Sequence, residues 1–207
     1  MPKRTSKTPQ IAPANTWRYD LIAVGASAGG LVALTELLRP LPITFPGIVV
    51  VQHLDPSHKS HLAPLLEKRT GKQVKQATHG EPILPGFVYI APPDEHLLVG
   101  PGKIQLAHSQ LVHFSRPSID LLFESVAGMY GSRSIGVVLS GSNRDGAVGI
   151  RTIKEAGGTT VAQDPSSAEF RIMPQAALAT GCIDFVVPIS GLADVLVALC
   201  EGRRIRK

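Results

Sequence analysis

The sequence predicts an α/β domain: a doubly wound, mostly parallel sheet with a small antiparallel hairpin added. Three observations predict it. Short apolar runs alternate with segments whose apolar residues recur at helical spacing. Twenty glycines and 17 prolines in 207 residues punctuate that alternation. One pair of short runs flanks Gly100-Pro101-Gly102, a hairpin signal inside the parallel pattern.

Residues 1–18 are rich in Lys, Ser, Thr and Pro and read as a disordered basic lead. Residues 19–201 then form one domain, and residues 202–207 a basic tail. The domain opens on Leu21 to Val24, a run that suits a buried parallel strand. Gly25 turns the chain, and Leu31, Leu34, Leu37 and Leu38 make a helix stopped at Arg39-Pro40. Gly47 to Val51 is the clearest buried strand, with Gln52-His53 at its polar end. A helix from about Ser60 to Arg69 carries Leu62, Leu65 and Leu66 on one face, and a short strand covers Gln73 to Ala77.

Pro85-Gly86 turns into a strand from Phe87 to Ala91. The hairpin pairs His96 to Val99 with Lys103 to Ala107. Ser118 is placed to cap a helix running to about Tyr130. Arg133 to Leu139 is a buried strand that ends in Ser140-Gly-Ser-Asn-Arg-Asp-Gly146, where the next helix begins. Gly157-Gly158 stops that helix before a strand from Thr159 to Ala162. Met173-Pro174 starts a helix to Ala179, Ile183 to Val187 is the last strand, and Leu192 to Leu199 the last helix.

Composition excludes several classes. No apolar run spans a bilayer, so no membrane insertion is expected. The N-terminus lacks the apolar stretch of a secretory signal. The net charge is +5, but eight of the 21 basic residues lie at the two ends, leaving 13 against 16 acidic ones in the body. No nucleic-acid partner is therefore expected. Cys182 and Cys200 fit no metal spacing and read as two buried thiols of a cytosolic chain. His53, His58 and His61 stand near one another, but Pro56 breaks any continuous helix between them and no metal is expected. His79, His96, His108 and His113 read as surface or hydrogen-bonding residues.

Chemistry is suggested at the carboxyl ends of the strands, where ligands bind in open parallel sheets. Ser27 sits in the turn after the first strand, among Gly25, Ala26, Ala28, Gly29 and Gly30. A dinucleotide loop would have glycine in its place and an acidic residue after the next strand; neither is present, and no Lys-Ser/Thr pair makes a P-loop. Ser27 as a simple helix cap is a second reading. A third is a nucleophile. His53 follows the neighbouring strand and Asp145 follows the strand from Ser134 to Leu139, so a hydroxyl, an imidazole and a carboxylate project from one edge. That set matches nucleophile, base and orienting acid. N–H groups near Ala28 and Gly29, or at His53, would face an oxyanion. Asp164 precedes Pro165 in a turn, and Asp120 lies early in a helix, where a carboxylate suits the dipole.

The motifs Val24-Gly-Ala-Ser-Ala-Gly-Gly30, Val51-Gln-His53, Gly86 to His96, Phe114 to Asp120, Leu139 to Ala147, Ala162-Gln-Asp164 and Met173-Pro174 occur in order. With them the chain resembles the catalytic domain of CheB-type chemotaxis-receptor protein-glutamate methylesterases. The resemblance implies a Rossmann-like sheet and a triad of Ser27, His53 and Asp145. It implies hydrolysis of glutamate methyl esters, and deamidation of glutamines, on the cytoplasmic helices of methyl-accepting chemotaxis receptors. No cofactor is implied. Three residues depart from the family pattern. Ala28 follows the serine in place of Thr or Ser, Ser142 replaces a Met, and Asn143 replaces a Gly, a change that tolerance of positive φ would make mild. The receiver domain common in the family is expected to be absent. The alternatives are a non-catalytic scaffold for receptors or signalling proteins, and an esterase for another substrate.

Overall fold

The computed structural model describes residues 17–54, 60–112 and 115–205. His58, His113, residues 1–16 of the basic lead and the last two residues of the tail lie outside the described residues. Among the described residues nine strands and six α-helices follow in order, with β3 to β6 uninterrupted by a helix: β1 (Leu21–Ala26), α1 (Gly30–Leu38), β2 (Gly47–Gln52), α2 (Leu62–Thr70), β3 (Gln73–Gln76), β4 (Phe87–Ile90), β5 (His96–Gly100), β6 (Lys103–Ala107), α3 (Ile119–Tyr130), β7 (Ser134–Val138), α4 (Ala147–Glu155), β8 (Thr159–Gln163), α5 (Ile172–Ala179), β9 (Phe185–Val187) and α6 (Ile189–Cys200).

Seven strands form one sheet in the order β3-β4-β2-β1-β7-β8-β9. Every pairing within it is parallel. The expected antiparallel hairpin is present, and β5 and β6 form it as a ribbon of their own beside the parallel sheet. Its apolar residues Leu97, Val99 and Ile104 join the core beneath α3.

Strand parity divides the core. Ile22, Val24, Ile48 and Val50 face α1, α2 and α6 through Leu34, Leu37, Leu66 and Leu196. Leu21, Ala23, Val49 and Val51 face the opposite side, where Ile119, Phe123, Ile150 and Met173 from α3, α4 and α5 cover them. Burial on both faces is why these strands are continuously apolar rather than alternating. Cys200 lies in this core, and burial pushes its thiol up to about 12. Cys182 is only half-buried, contrary to the expectation of two buried thiols.

The chain leaves β1 towards β2 on one side and later returns to place β7 on the other. Strand order thus reverses around β1, the position where a doubly wound sheet opens a crevice. The loops after β2, β1 and β7 are adjacent there. They carry His53, Ser27 and Asp145.

Candidate active site

β1 and β2 run in parallel register from Leu21 opposite Gly47 to Ala26 opposite Gln52. Ser27 and His53 are therefore the first residues beyond two paired strand ends. The Ser27 turn is held from its backbone. Its N–H donates to the Ser140 carbonyl at 2.9 Å, and its carbonyl accepts from Gly30 N–H at 2.8 Å. α1 starts behind it at Gly29, whose φ of 73° suits glycine, and no side chain caps the helix. Ser27 as a helix cap is thus not what is seen. Among the described residues, Ser27 Oγ and the N–H groups of Ala28 and Gly29 have no hydrogen-bond partner. The N–H of His53 is taken by the Ala26 carbonyl at 3.1 Å, so it is not free to face an oxyanion.

Asp145 is enclosed. Its Oδ2 lies 2.9 Å from His53 Nε2 and accepts from Ile119 N–H at 2.7 Å. Its Oδ1 accepts from the N–H groups of Asp120 and Gly146, both at 3.0 Å, and from Ser118 Oγ at 3.1 Å. The first turn of α3 thus aims its free amides at this carboxylate, with Ser118 as the expected cap. Burial pushes the Asp145 carboxyl up. The hydrogen bonds from His53, Ile119 and Asp120 outweigh that and hold it below its ordinary value. The side chain of His53 is 14% exposed, so its other ring edge reaches the crevice.

Asp120 differs from its expected role as a charge suited to a helix start. It is buried, and burial together with the charge of Asp145 pushes its carboxyl up to about 6, despite a 2.7 Å hydrogen bond from Gly149 N–H. Loss of hydration outweighs the helix dipole there. Asp164 keeps its expected place, accepting from Ser166 N–H at the start of a short 3-10 turn.

Four residues hold the site through contacts that the sequence did not indicate. Gln52 Nε2 donates to the carbonyls of Ser27 at 2.7 Å and His53 at 2.9 Å, tying the two loops together. It fits only because Gly30 has no side chain: a Cβ there would come within 1.8 Å of Gln52 Oε1. Ser140 is buried and joins the turn to the loop before α5, donating to the Ala28 carbonyl at 2.8 Å and accepting from Phe170 N–H at 2.9 Å. His96 is fully buried and is the hydrogen-bonding alternative rather than the surface one. Its Nδ1 accepts from Ser118 N–H at 3.1 Å, supporting the amides that bind Asp145. Asn143 Nδ2 lies 3.1 Å from His53 Nδ1. Its backbone does not take the positive φ by which a Gly-to-Asn change would be judged; the side chain is what matters.

A cavity of about 450 Å³ opens beside Ser27, walled by Leu31, Leu54, Leu62 and Leu65. Gln52, Ser60 and His61 line it as well, so apolar side chains and polar groups meet beside Ser27. Among the described residues no group of three or more metal-ligating side chains occurs. No helix among them is long and apolar enough to cross a membrane.

The family model described as CheB methylesterase matches residues 22–196. A putative protein-glutamate methylesterase/protein-glutamine glutaminase of Leptospira interrogans is 40% identical over 186 residues, covering 89% of this chain and 96% of the relative. Protein-glutamate methylesterase/protein-glutamine glutaminase 2 of Anaeromyxobacter dehalogenans is 42% identical over 186 residues, but those span only 54% of its length. The crystal structure of the Thermotoga maritima CheB methylesterase catalytic domain superposes with a TM-score of 0.83 at 35% identity, covering 87% of this chain and 98% of that one.

Proposed function

The chain belongs to the CheB methylesterase family, and from that premise we propose that it hydrolyses glutamate methyl esters, and deamidates glutamines, on the cytoplasmic helices of chemotaxis receptors. Residues 19–201 would be the catalytic domain, acting in the cytoplasm without a cofactor. The observation that carries the reading is the 2.9 Å bond between His53 and the buried, ionised Asp145, next to a turn whose serine is unpartnered.

The roles follow from that geometry. Asp145 binds Nε2, so Nδ1 is the nitrogen left to act as base. Ser27 Oγ attacks the ester carbonyl carbon while Nδ1 takes the hydroxyl proton. Asp145 stabilises the imidazolium without taking its proton. Negative charge develops on the carbonyl oxygen, and the free N–H groups of Ala28 and Gly29 are the donors at hand. Collapse breaks the bond to methoxide, which leaves as methanol with the proton from Nδ1. Water, deprotonated by Nδ1, then attacks the acyl carbon; the bond to Ser27 Oγ breaks, that oxygen takes the proton back from Nδ1, and the glutamate is freed. A glutamine follows the same course and releases ammonia.

The test is methanol release from methylated receptor fragments. Ser27→Ala is expected to lower it by about 10⁴-fold or more. Equal release by the variant would reject Ser27 as nucleophile, and a wild type that binds fragments without releasing methanol would favour a scaffold. Activity on small acyl esters alone would favour an esterase for another substrate.

A further inference from the structure

We propose that Asn143 is a positioning residue: in the substrate-free protein it restrains the base by occupying the lone pair on His53 Nδ1 that must take the Ser27 proton. The proposal rests on the reading of Ser27 and His53 as nucleophile and base.

The orientation of the amide follows from its two ends. Asn143 Oδ1 accepts from Asp145 N–H at 3.2 Å, which turns Nδ2 towards His53 Nδ1 at 3.1 Å. An amide nitrogen can only donate. Nδ1 must therefore present its lone pair, and the ring proton sits on Nε2, where Asp145 accepts it. This is the tautomer in which Nδ1 can act as base.

The same contact has a cost. The lone pair of Nδ1 is single and lies in the ring plane, so Asn143 and the Ser27 hydroxyl compete for it. Ser27 Oγ has no hydrogen-bond partner among the described residues, as expected if the asparagine holds the position. Attack therefore requires the Asn143 amide to leave the ring. Room exists for that: a cavity of about 340 Å³ lined by Asn143, Arg144 and Val148 lies alongside, and Asn143 is half-buried rather than locked in the core.

A fluorophosphonate ester tests this without a receptor. Its phosphorus bonds to a serine oxygen, fluoride leaves, and the base takes the hydroxyl proton. Labelling of Ser27, followed by intact mass, is expected to be about two- to tenfold faster in Asn143→Ala and Asn143→Gly, the factor by which freeing one neutral hydrogen bond shifts an equilibrium. The ¹⁵N resonance of His53 Nδ1 is expected to move towards that of an unbonded ring nitrogen in both variants, with Nε2 still protonated. With methylated receptor fragments, kcat should rise and KM stay level. Labelling that is equal or slower in two folded variants would overturn the restraint and leave Asn143 as a loop brace for Asp145. An unmoved Nδ1 resonance would also overturn it. A wild type that is never labelled at Ser27, although the Nδ1 resonance responds to the substitutions, would sink the nucleophile reading and this restraint with it. Slower labelling of the variants alone leaves the nucleophile reading standing.

Discussion

The two ends of the site are built to opposite standards. At one end Asp145 is buried and accepts from Ser118, Ile119, Asp120, Gly146 and His53. At the other end Ser27 lies half-buried, with its hydroxyl and the two N–H groups after it unpartnered among the described residues. The Ser27 hydroxyl is not a buried unpartnered atom, so water can serve it until something else arrives at the cavity beside it. The difference teaches which parts of such a site must hold still. In the proposed reaction the carboxylate orients the imidazole, and any slack there would spread to the base. The serine and its amides would meet the substrate, with partners supplied only when it binds.

The sharpest way to break that comparison is to remove each end in turn. Asp145→Ala deletes the acceptor for three backbone N–H groups and leaves them buried without partners. Each such loss costs about 1–3 kcal/mol, and partial relaxation should bring the total to about 3–5 kcal/mol. Ser27→Ala removes a hydroxyl that bonds nothing, so its stability should stay within about 0.5 kcal/mol of the wild type. Both should abolish methanol release. Urea unfolding separates them. Similar midpoints for the two variants would mean that the acid end is no more deeply built in than the nucleophile.

A smaller effect is expected at the residue that joins the ends. Gln52→Leu keeps the apolar volume but removes the donor shared by the Ser27 and His53 carbonyls. Stability should fall by about 1–3 kcal/mol. Activity should fall by about 10–100-fold through misplacement of the serine against the base. Fluorophosphonate labelling reads this directly. A rate equal to the wild type would show that the sheet alone sets the spacing of the two loops.

The residues legible in sequence and those that were not divide along a physical line. Ser27, His53 and Asp145 could be picked out because each lies in the loop that follows an apolar strand, and strand ends in a parallel sheet share an edge. The helices and strands followed from period and from turn residues such as Gly157-Gly158. That the hairpin stands apart from the sheet did not, because local pattern reports that two runs pair but not whether they also join a distant strand. Gln52 carried a faint signal, a polar residue continuing a Val-rich run straight into a histidine. Asn143 carried none in its own neighbourhood. Its partner is His53, 90 residues away, and a backbone argument about φ could not reach a side-chain contact. His96 and Ser140 support the site through hydrogen bonds of the same long-range kind.

The least effect, and the subtlest test of the acid end, concerns the second carboxyl behind Asp145. An unfolded aspartate ionises near ~3.9, whereas Asp120 in the fold is pushed up to about 6. Between those values the unfolded chain gives up its proton first, so Asp120 lowers stability progressively as pH rises through the window, and the loss is complete above it. Asp145 acts in the other direction. Its carboxyl is held below its ordinary value, so its contribution is present above the unfolded value and fades as pH falls through the folded one. Asp120→Asn isolates the first effect, because it keeps an oxygen for Gly149 N–H and carries no charge beside Asp145. The variant should be more stable than the wild type by about 1–2 kcal/mol at pH 8, after allowance for screening. The gap should close towards pH 4. Urea unfolding across that range gives the difference directly. A gap that stays constant, or widens towards acid, would mean that Asp120 holds its charge in the fold without penalty. Asp145 would then keep its low value beside a neighbour that is itself an anion over the same range.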